Sequence, residues 1–274
     1  MIRGMRTLII GMGEIGHSMR NVLSSIHPCY CYDIKGDWPD IPGEIEVMHI
    51  CTPYIDGFEN MVREYALLYH PRIINIATTV PPGTCEAIGD NVCHSTTRGL
   101  HPRLEIGIRA ITKHIGGPRA EELAYYFGLA GIPCYCHKRA ATTELAHILN
   151  NVEYGVLLMF ADEMAKICRH FGCDYLESVI KYKETYNQGF SSIDHSSKCR
   201  PILTPPNGKI GGHCVTQNAE MVSPILEKAG ISAPLMRMLS EYNKQKESKK
   251  NEEVNRMSCR CPHCGNGLCV CRDC

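Results

Sequence analysis

A glycine-rich turn near the start of the sequence has the residue types and spacing needed to approach phosphate groups. It follows the apolar segment Thr7–Ile10 and opens a helical pattern, and its residues include Gly11, Gly13, Glu14, Ile15 and Gly16. In a G-x-G-x-x-G turn, the first glycine permits a tight bend, the second lets the backbone approach a pyrophosphate, and the third lets helix and strand pack closely. The N–H groups at the helix N-terminus then face the phosphates. The turn therefore predicts a dinucleotide-binding site.

One carboxylate indicates which dinucleotide is preferred. Asp33 ends the next apolar segment, where a carboxylate accepts hydrogen bonds from the hydroxyl groups of the adenosine ribose. A carboxylate at this point repels a 2′-phosphate, so Asp33 favours NAD over NADP. Lys35 lies two residues further on and leaves some tolerance for NADP open.

Three polar residues lie along one edge of a later helical pattern: Glu144, His147 and Asn151. At 100° per residue they fall within about 60° of one another around the helix axis. A glutamate, a histidine and an asparagine beside a cofactor fold can act as acid/base and orienting groups. The alternative interpretation is a helix edge that packs on a partner subunit.

Cys214 follows the segment Gly211-Gly212-His213 and is a candidate nucleophile. The two glycines indicate close approach of the backbone to a ligand, and a neighbouring imidazolium lowers the pKa of a thiol. A buried loop cysteine is the alternative. Arg98, His101 and Arg103 form a small basic group where an anionic substrate could dock, although solvated surface charges explain them equally well.

The last sixteen residues contain six cysteines in two copies of C-x-C-x-x-C: Cys259, Cys261, Cys264, Cys269, Cys271 and Cys274. Four thiolates at this spacing suit tetrahedral zinc, and six also suit an iron–sulfur cluster. An unstructured tail is the alternative. Basic residues before the cysteines leave contact with protein or nucleic acid open.

The pattern along the chain predicts the elements that position these residues. Up to residue 138, short apolar segments alternate with helical patterns, which predicts an α/β Rossmann-like parallel sheet with helices on both faces. Over 139–245, apolar residues recur at three- and four-residue steps, which predicts an all-helical domain for substrate binding and dimerisation. Residues 246–274 form a charged linker and the cysteine-rich tail.

Composition excludes several classes of protein. Basic and acidic residues both number 29, so a global basic field for nucleic acid is not expected. No apolar run reaches the roughly 18 residues of a membrane span, and no signal-peptide cleavage site follows the first apolar run. We expect a soluble, cytoplasmic protein in which most of the 17 cysteines are reduced.

Several segments together resemble the UDP-glucose/GDP-mannose dehydrogenase family. Thr52-Pro53 is similar to the end of its third strand, and the segment around Thr79 is similar to the S-T-V-P-P-G-T turn that lies against the nicotinamide half of the cofactor. The segment that begins at Glu144 resembles the start of its central helix, E-L-x-K-x-x-x-N, and Gly211–Cys214 matches its G-G-x-C loop.

The resemblance implies an NAD-dependent oxidoreductase that acts on the alcohol or carbonyl group of a small polar, sugar-like substrate. In this family a cysteine thiolate, here Cys214, traps the aldehyde so that a second NAD can oxidise it. Asn151 would be an oxyanion or substrate donor. The family's central helix also builds a dimer, which implies a homodimer here.

Three substitutions depart from the family pattern. His147 replaces its helix lysine, Asn218 replaces the acidic residue four places after the cysteine, and Arg103 replaces the acid of its N-P-E segment. The chain also ends about where the family's third, nucleotide-sugar-binding domain would begin, so we expect a short form. Two alternatives follow: a two-electron hydroxyacid-type dehydrogenase, or a non-catalytic NAD-binding scaffold or sensor.

Overall fold

Seven short strands form the sheet that the alternating pattern predicts. The computed structural model describes residues 4–41, 43–210 and 213–244, without the side chains of His213 and Cys214. The strands in this part of the chain are β1 Thr7–Ile10, β2 Cys29–Tyr32, β3 Val47–Ile50, β4 Ile73–Ile76, β5 Val92–His94, β6 Lys113–Gly116 and β7 Cys134–His137. The ends of each strand agree within one residue with the ends of a short apolar segment in the sequence, because turn residues bound these segments closely.

The strand order is β2-β1-β3-β4-β5-β6-β7, and neighbouring strands are parallel except where β5 meets β6. The predicted parallel sheet is therefore confirmed with one correction, the antiparallel pair β5–β6. The connection between these strands carries α4, Leu104–Ala110, which packs along α1 instead of crossing the sheet. The chain consequently stays at the carboxyl edge of β5, and β6 starts from that edge.

Helices cover both faces of the sheet. They are α1 Glu14–Leu23, α2 Phe58–Tyr69, α3 Thr84–Ile88, α4 and α5 Ala120–Leu129. On one face, α1, α4 and α5 bury Val22, Ile108 and Phe127. On the other face, α2 buries Phe58 and Val62. Since both faces are covered, the central strands are apolar at nearly every position, as parallel strands require.

A chain of buried hydrogen bonds crosses the sheet and was not predicted. Ser95 donates to Asn75 (2.7 Å), the Asn75 amide donates to Nδ1 of His49 (2.9 Å), and His49 Nε2 donates to Tyr126 (3.1 Å), which donates to Thr7 (2.9 Å). Burial lowers the pKa of His49 to about 3, so the ring is neutral with its proton on Nε2. Every member of this chain has a partner, so the network fixes strand positions without leaving a buried charge.

The first compact unit ends at Leu149 and the second begins at Asn150, inside the 31-residue helix α6, Ala140–His170. The domain boundary predicted at 138/139 lies just before the start of this helix and stays a prediction. Gly172 has φ 68°, which a helix-ending glycine adopts readily.

The second unit is helical, as predicted. The sequence pattern predicts a helix over Tyr175–Lys183. In the structure a π-helical segment Leu176–Lys181 runs into α7, Tyr182–Ser192, so the helix ends nine residues later than this prediction. The sequence pattern also predicts helices over Ala219–Ala229 and Pro234–Gln245. In the structure α8, His213–Lys228, begins six residues earlier, and α9 spans 234–244. Among the residues that the structure describes, no helix is both long and apolar enough to cross a membrane.

Candidate functional site

The glycine-rich turn adopts a conformation that requires two of its glycines. Gly11 has φ +90°, and a Cβ there would lie 2.9 Å from the backbone of Cys51 and Thr52. A Cβ on Gly16 would collide with the Gly11 carbonyl oxygen. At Gly13, by contrast, a Cβ would have room. Apart from the two adjoining residues, no heavy atom of the described chain lies within 4 Å of the position that it would take. The turn thus leaves open space at Gly13, directly before α1.

The N-terminus of α1 is open toward this space. Gly13 is the N-cap residue, and within the described ranges no side chain caps the first turn. Glu14 is exposed and pairs with His101, its carboxylate 2.7 Å from Nδ1. Uncapped N–H groups at a helix N-terminus together with a glycine cradle fit a pyrophosphate. The residues present therefore fit a dinucleotide, and Ile15 and Gly16 pack the helix beneath it.

Asp33 lies just past the carboxyl end of β2 and is half-buried. Its carboxylate accepts backbone hydrogen bonds from Met12 (2.7 Å) and Lys35 (2.9 Å). Both hydrogen bonds lower the pKa of Asp33, and the one from Lys35 has the larger effect. A permanently charged carboxylate with spare lone pairs is what binding of a ribose diol needs. Contact with ribose itself stays a prediction.

Three buried polar atoms at the carboxyl edge of the sheet have no hydrogen-bond partner in the described part of the chain: Thr52 Oγ1, His94 Nε2 and Thr97 Oγ1. Thr52 follows β3 beside Gly11, and its backbone carbonyl accepts a hydrogen bond from Thr78 at 2.5 Å. The predicted contacts Pro53 and Thr79 flank this bond in sequence, one exposed and one half-buried. Because unpaired buried polar groups are costly, their clustering here indicates a polar ligand.

Glu144 has a different environment from the one predicted for an acid/base residue. It is fully buried, and its carboxylate accepts backbone hydrogen bonds from Gly83 (2.5 Å) and Cys85 (2.9 Å) at the N-terminus of α3. Both oxygens are thereby engaged by donors that the helix itself leaves unpaired. The contacts make Glu144 an anchor between α6 and the turn that contains Thr79.

His147 lies one turn after Glu144 and is half-buried. Burial, followed by the positive charge of Arg98, lowers the pKa of His147 to about 4. The imidazole is therefore neutral at pH 7 and able to accept a proton. Asn151 lies one further turn along α6, in the second unit, and its role stays a prediction.

The predicted basic group does not form one anion site. Arg98 donates to the carbonyl of Thr112 and His101 pairs with Glu14, so protein groups engage both side chains. Arg103 lies directly before α4. Arg98 nevertheless acts on the candidate acid/base residue, because its positive charge lowers the pKa of His147.

In the second unit, Gly155 allows close packing of helices. A Cβ there would collide with Val215 of α8 and lie 2.8 Å from Leu239 of α9. The backbone places Cys214 in the first turn of α8, but its side chain lies outside the described residues. Asn218, one turn further on, is buried, and its Nδ2 has no partner in the region that the structure covers.

The tail cysteines Cys259, Cys261, Cys264, Cys269, Cys271 and Cys274 also lie outside the described residues, so zinc or cluster binding there stays a prediction. Among the described residues no three His, Cys, Asp or Glu side chains are grouped to hold a metal ion.

Sequence analysis missed His94 and Lys113. Both are buried at the carboxyl edge, and burial lowers the pKa of His94 to about 3 and of Lys113 to about 8. The available signal was a polar residue at the end of an apolar strand segment. Sequence patterns could not predict that Lys113 lies at the carboxyl edge of the sheet. It lies there because β6 runs antiparallel to β5, so that the start of β6 is at this edge.

Residues 141–245 match the central domain of the UDP-glucose/GDP-mannose dehydrogenase family. No curated protein matches the chain by sequence.

Solved structures of two kinds of dehydrogenase share the fold. UDP-D-ManNAc dehydrogenase from Pyrococcus horikoshii is 19% identical with a TM-score of 0.71, covering 93% of this chain and 73% of its own. UDP-glucose dehydrogenase from Pyrobaculum islandicum is 15% identical with a TM-score of 0.65, covering 93% and 72%. The 3-hydroxyisobutyrate dehydrogenase of Mycobacterium tuberculosis is 14% identical, also at 0.65, covering 89% and 94%.

At these identities the structural likeness shows the fold. The match over 141–245 confirms the resemblance for the central region, which is similar to the central domain of the UDP-glucose/GDP-mannose dehydrogenase family.

Proposed function

We propose that this chain is an NAD-dependent oxidoreductase acting on a CH–OH group of a small polar substrate, sugar-like or a hydroxy acid. The observation that carries the proposal is the open glycine cradle at Gly13 with the charged Asp33 beyond the neighbouring strand. When bound, NAD supplies the hydride acceptor. The cradle binds the pyrophosphate, and Asp33 orients the ribose and excludes a 2′-phosphate.

The role of His147 is to take up the hydroxyl proton as the substrate is oxidised. Burial, followed by the charge of Arg98, lowers its pKa to about 4, so the ring is neutral and can act as a weak base toward that proton. Glu144 acts as an anchor and does not exchange protons. When His147 takes the hydroxyl proton it becomes an imidazolium, and the substrate can pass one hydride to the cofactor without covalent attachment to the enzyme. This accounts for a two-electron reaction with no nucleophile.

The competing four-electron route needs Cys214 as a nucleophile and charged groups that activate water. Here Asn218 and Arg103 stand where the resemblance places acids. Counting NADH per substrate consumed separates the routes, using a panel of sugar alcohols, nucleotide sugars and hydroxy acids. We expect one NADH per turnover, a loss of roughly 10²–10⁴-fold in kcat for His147→Ala, and little effect of Cys214→Ser.

Two NADH per turnover with an acyl group on Cys214 by mass spectrometry would establish the four-electron route instead. NADH binding without turnover of any substrate, in wild type and both variants, would favour the scaffold or sensor alternative.

We also propose that the chain forms a homodimer through α6. Phe160, Ile167 and Phe171 are exposed on this helix in the second unit. Large apolar side chains that recur on one helix commonly mark a contact surface. Light scattering should give twice the chain mass, and a monomer at micromolar concentration would refute the proposal.

A further inference from the structure

An ion pair lies next to the glycine turn that is proposed to bind a pyrophosphate. Glu14 is the first residue of α1, directly after Gly13, and its carboxylate lies 2.7 Å from Nδ1 of His101. An ionised carboxylate only accepts hydrogen bonds, so Nδ1 carries a hydrogen and donates to Glu14. The side chains of His101 and Glu14 are 61% and 44% exposed, so a ligand bound at the turn can reach both.

The loop that carries His101 is fixed against α1 by contacts besides this ion pair. The backbone N–H of Arg103 donates to the Leu100 carbonyl (2.7 Å) and closes a turn around His101. A Cβ on Gly107 of α4 would collide with the backbone of Gly99, so the loop packs directly on α4. Helix α4 in turn packs along α1. The imidazole is consequently held beside the N-terminus of α1.

The carboxylate of Glu14 has opposite effects on the free helix and on a bound dinucleotide. In the free protein, an acidic side chain in the first helical turn is favourable, because it lies at the positive end of the helix dipole. A dinucleotide brings two phosphate charges to the same helix end, where the carboxylate repels them. His101 can offset this repulsion, because imidazole changes its charge between pH 5 and 8 and nearby negative charges favour the charged form.

The other charged or titratable residues of α1, of α4 and of the loop between β5 and α4 are His17, Arg20, Arg98, Arg103, Glu105 and Arg109. Arg98 donates to the Thr112 carbonyl, and Glu105 accepts a hydrogen bond from Asn21 at 3.1 Å. The arginines keep a fixed charge near pH 7. His17 is exposed and interacts electrostatically with Asp33. Within these described elements, His17 is therefore the imidazole to compare with His101.

We propose that His101 binds the pyrophosphate of the dinucleotide as an imidazolium, so that NADH binding takes up a proton. This inference rests on the proposed function, since it assumes that the pyrophosphate lies at the N-terminus of α1. Glu14 holds the ring through Nδ1, and the positive charge of the ring offsets the repulsion between Glu14 and the phosphates. The proton comes from solvent, and no bond of the dinucleotide changes. The affinity for NADH consequently falls as the pH rises.

Titration calorimetry in buffers of different ionisation enthalpy measures the proton uptake directly. At a fixed pH, the observed binding enthalpy changes linearly with the ionisation enthalpy of the buffer, and the slope gives the number of protons taken up. The ligands are NADH and ADP-ribose, which keeps the pyrophosphate but lacks the nicotinamide. The proteins are wild type, His101→Asn, Glu14→Gln and, as a matched control, His17→Asn. All three substituted side chains are exposed, and circular dichroism checks that each variant folds.

For wild type at pH 7 we expect an uptake of roughly half a proton with either ligand, the value for an imidazole whose titration shifts by about one pH unit on binding. The affinity should then fall roughly sixfold between pH 6 and pH 8. His101→Asn should reduce the uptake to near zero and weaken NADH binding at pH 6 more than at pH 8. Glu14→Gln should bind NADH roughly threefold tighter than wild type at pH 8, where the ring is mostly neutral. His17→Asn should behave as wild type.

Failure of this inference and failure of the proposed function give different results. If wild type binds NADH without taking up a proton, the role of His101 is wrong while NAD binding stands. The same holds if the uptake persists in His101→Asn or is lost in His17→Asn. Uptake with NADH but not with ADP-ribose would also overturn the role of His101, because it would assign the proton to the nicotinamide end. Failure of wild type to bind both NADH and ADP-ribose would refute the proposed function itself.

Discussion

Replacing Glu144 by glutamine tests whether this residue anchors the fold or takes part in chemistry. The carboxylate accepts two backbone hydrogen bonds, a part-buried one from Gly83 and a buried one from Cys85. Glutamine has nearly the same shape but only one acceptor oxygen. Whichever way its amide turns, an NH₂ group faces one of the two backbone N–H donors.

The cost follows from these contacts. One hydrogen bond to a charged acceptor is lost, and such bonds contribute roughly 1.5–3 kcal/mol. The loss is largest if the N–H of Cys85 loses its acceptor, because Cys85 is buried, whereas Gly83 is half-buried. We therefore expect Glu144→Gln to lower the free energy of unfolding by about 2 kcal/mol, and NADH to bind more weakly because the turn containing Thr79 is no longer fixed.

Urea unfolding followed by circular dichroism measures the effect, with Glu86→Gln as a matched control. Glu86 belongs to the same helix α3, but it is exposed and pairs with Arg139 on the surface. Surface ion pairs contribute little, so the control should cost less than half as much. If Glu144→Gln keeps wild-type stability and loses only turnover, the anchor role is wrong and the acid/base role predicted from the sequence is right.

Three further predictions concern the cofactor, the packing of α6 and acid stability. Asp33→Ala should narrow the difference between NAD and NADP affinity, and equal binding of both by wild type in calorimetry would contradict the assignment. Gly155→Ala should destabilise the second unit by roughly 1–3 kcal/mol, because the new methyl group overpacks the helices, although alanine's higher helix propensity offsets part of this cost. Adding Val215→Ala removes the nearest side chain and should restore most of the lost stability. The pKa of His49 and of His94 is 6.5 in the unfolded chain and about 3 in the folded protein. Because the unfolded chain binds protons first as the pH falls below 6.5, the free energy of unfolding decreases there. At pH 5 the loss should approach about 2 kcal/mol for each residue, and a urea midpoint unchanged from pH 7 would refute this.

The strand segments and the glycine turn were predictable because their signals are local. A turn such as Gly11–Gly16 needs its glycines for reasons of backbone conformation, and apolar segments bounded by turn residues define strands wherever they pack. The antiparallel entry of β6 was not predictable in this way. It depends on α4 packing along α1, which is a long-range contact that periodicity does not encode.

Glu144 shows the same limit within the site. Helical spacing correctly groups it with His147 on one edge of α6, but spacing does not distinguish a side chain directed at a ligand from one directed at backbone donors. The deciding partners, Gly83 and Cys85, are about sixty residues away in sequence. His94 was overlooked for the related reason that a histidine in an apolar strand is most simply a core residue.

The substitution of a lysine by His147 gives the clearest indication of how this site differs from its relatives. A lysine at this place, with an ordinary pKa near 10.4, would be charged at pH 7 and would stabilise developing negative charge. His147 is half-buried in the field of Arg98, its pKa is lowered to about 4, and it is neutral over the whole physiological range. A neutral base accepts a proton where a cation can only donate one or attract charge. This is the basis on which we propose a single hydride transfer: a neutral His147 can take the proton of an alcohol, whereas the later steps of a thioester route depend on fixed charge that a neutral ring does not supply.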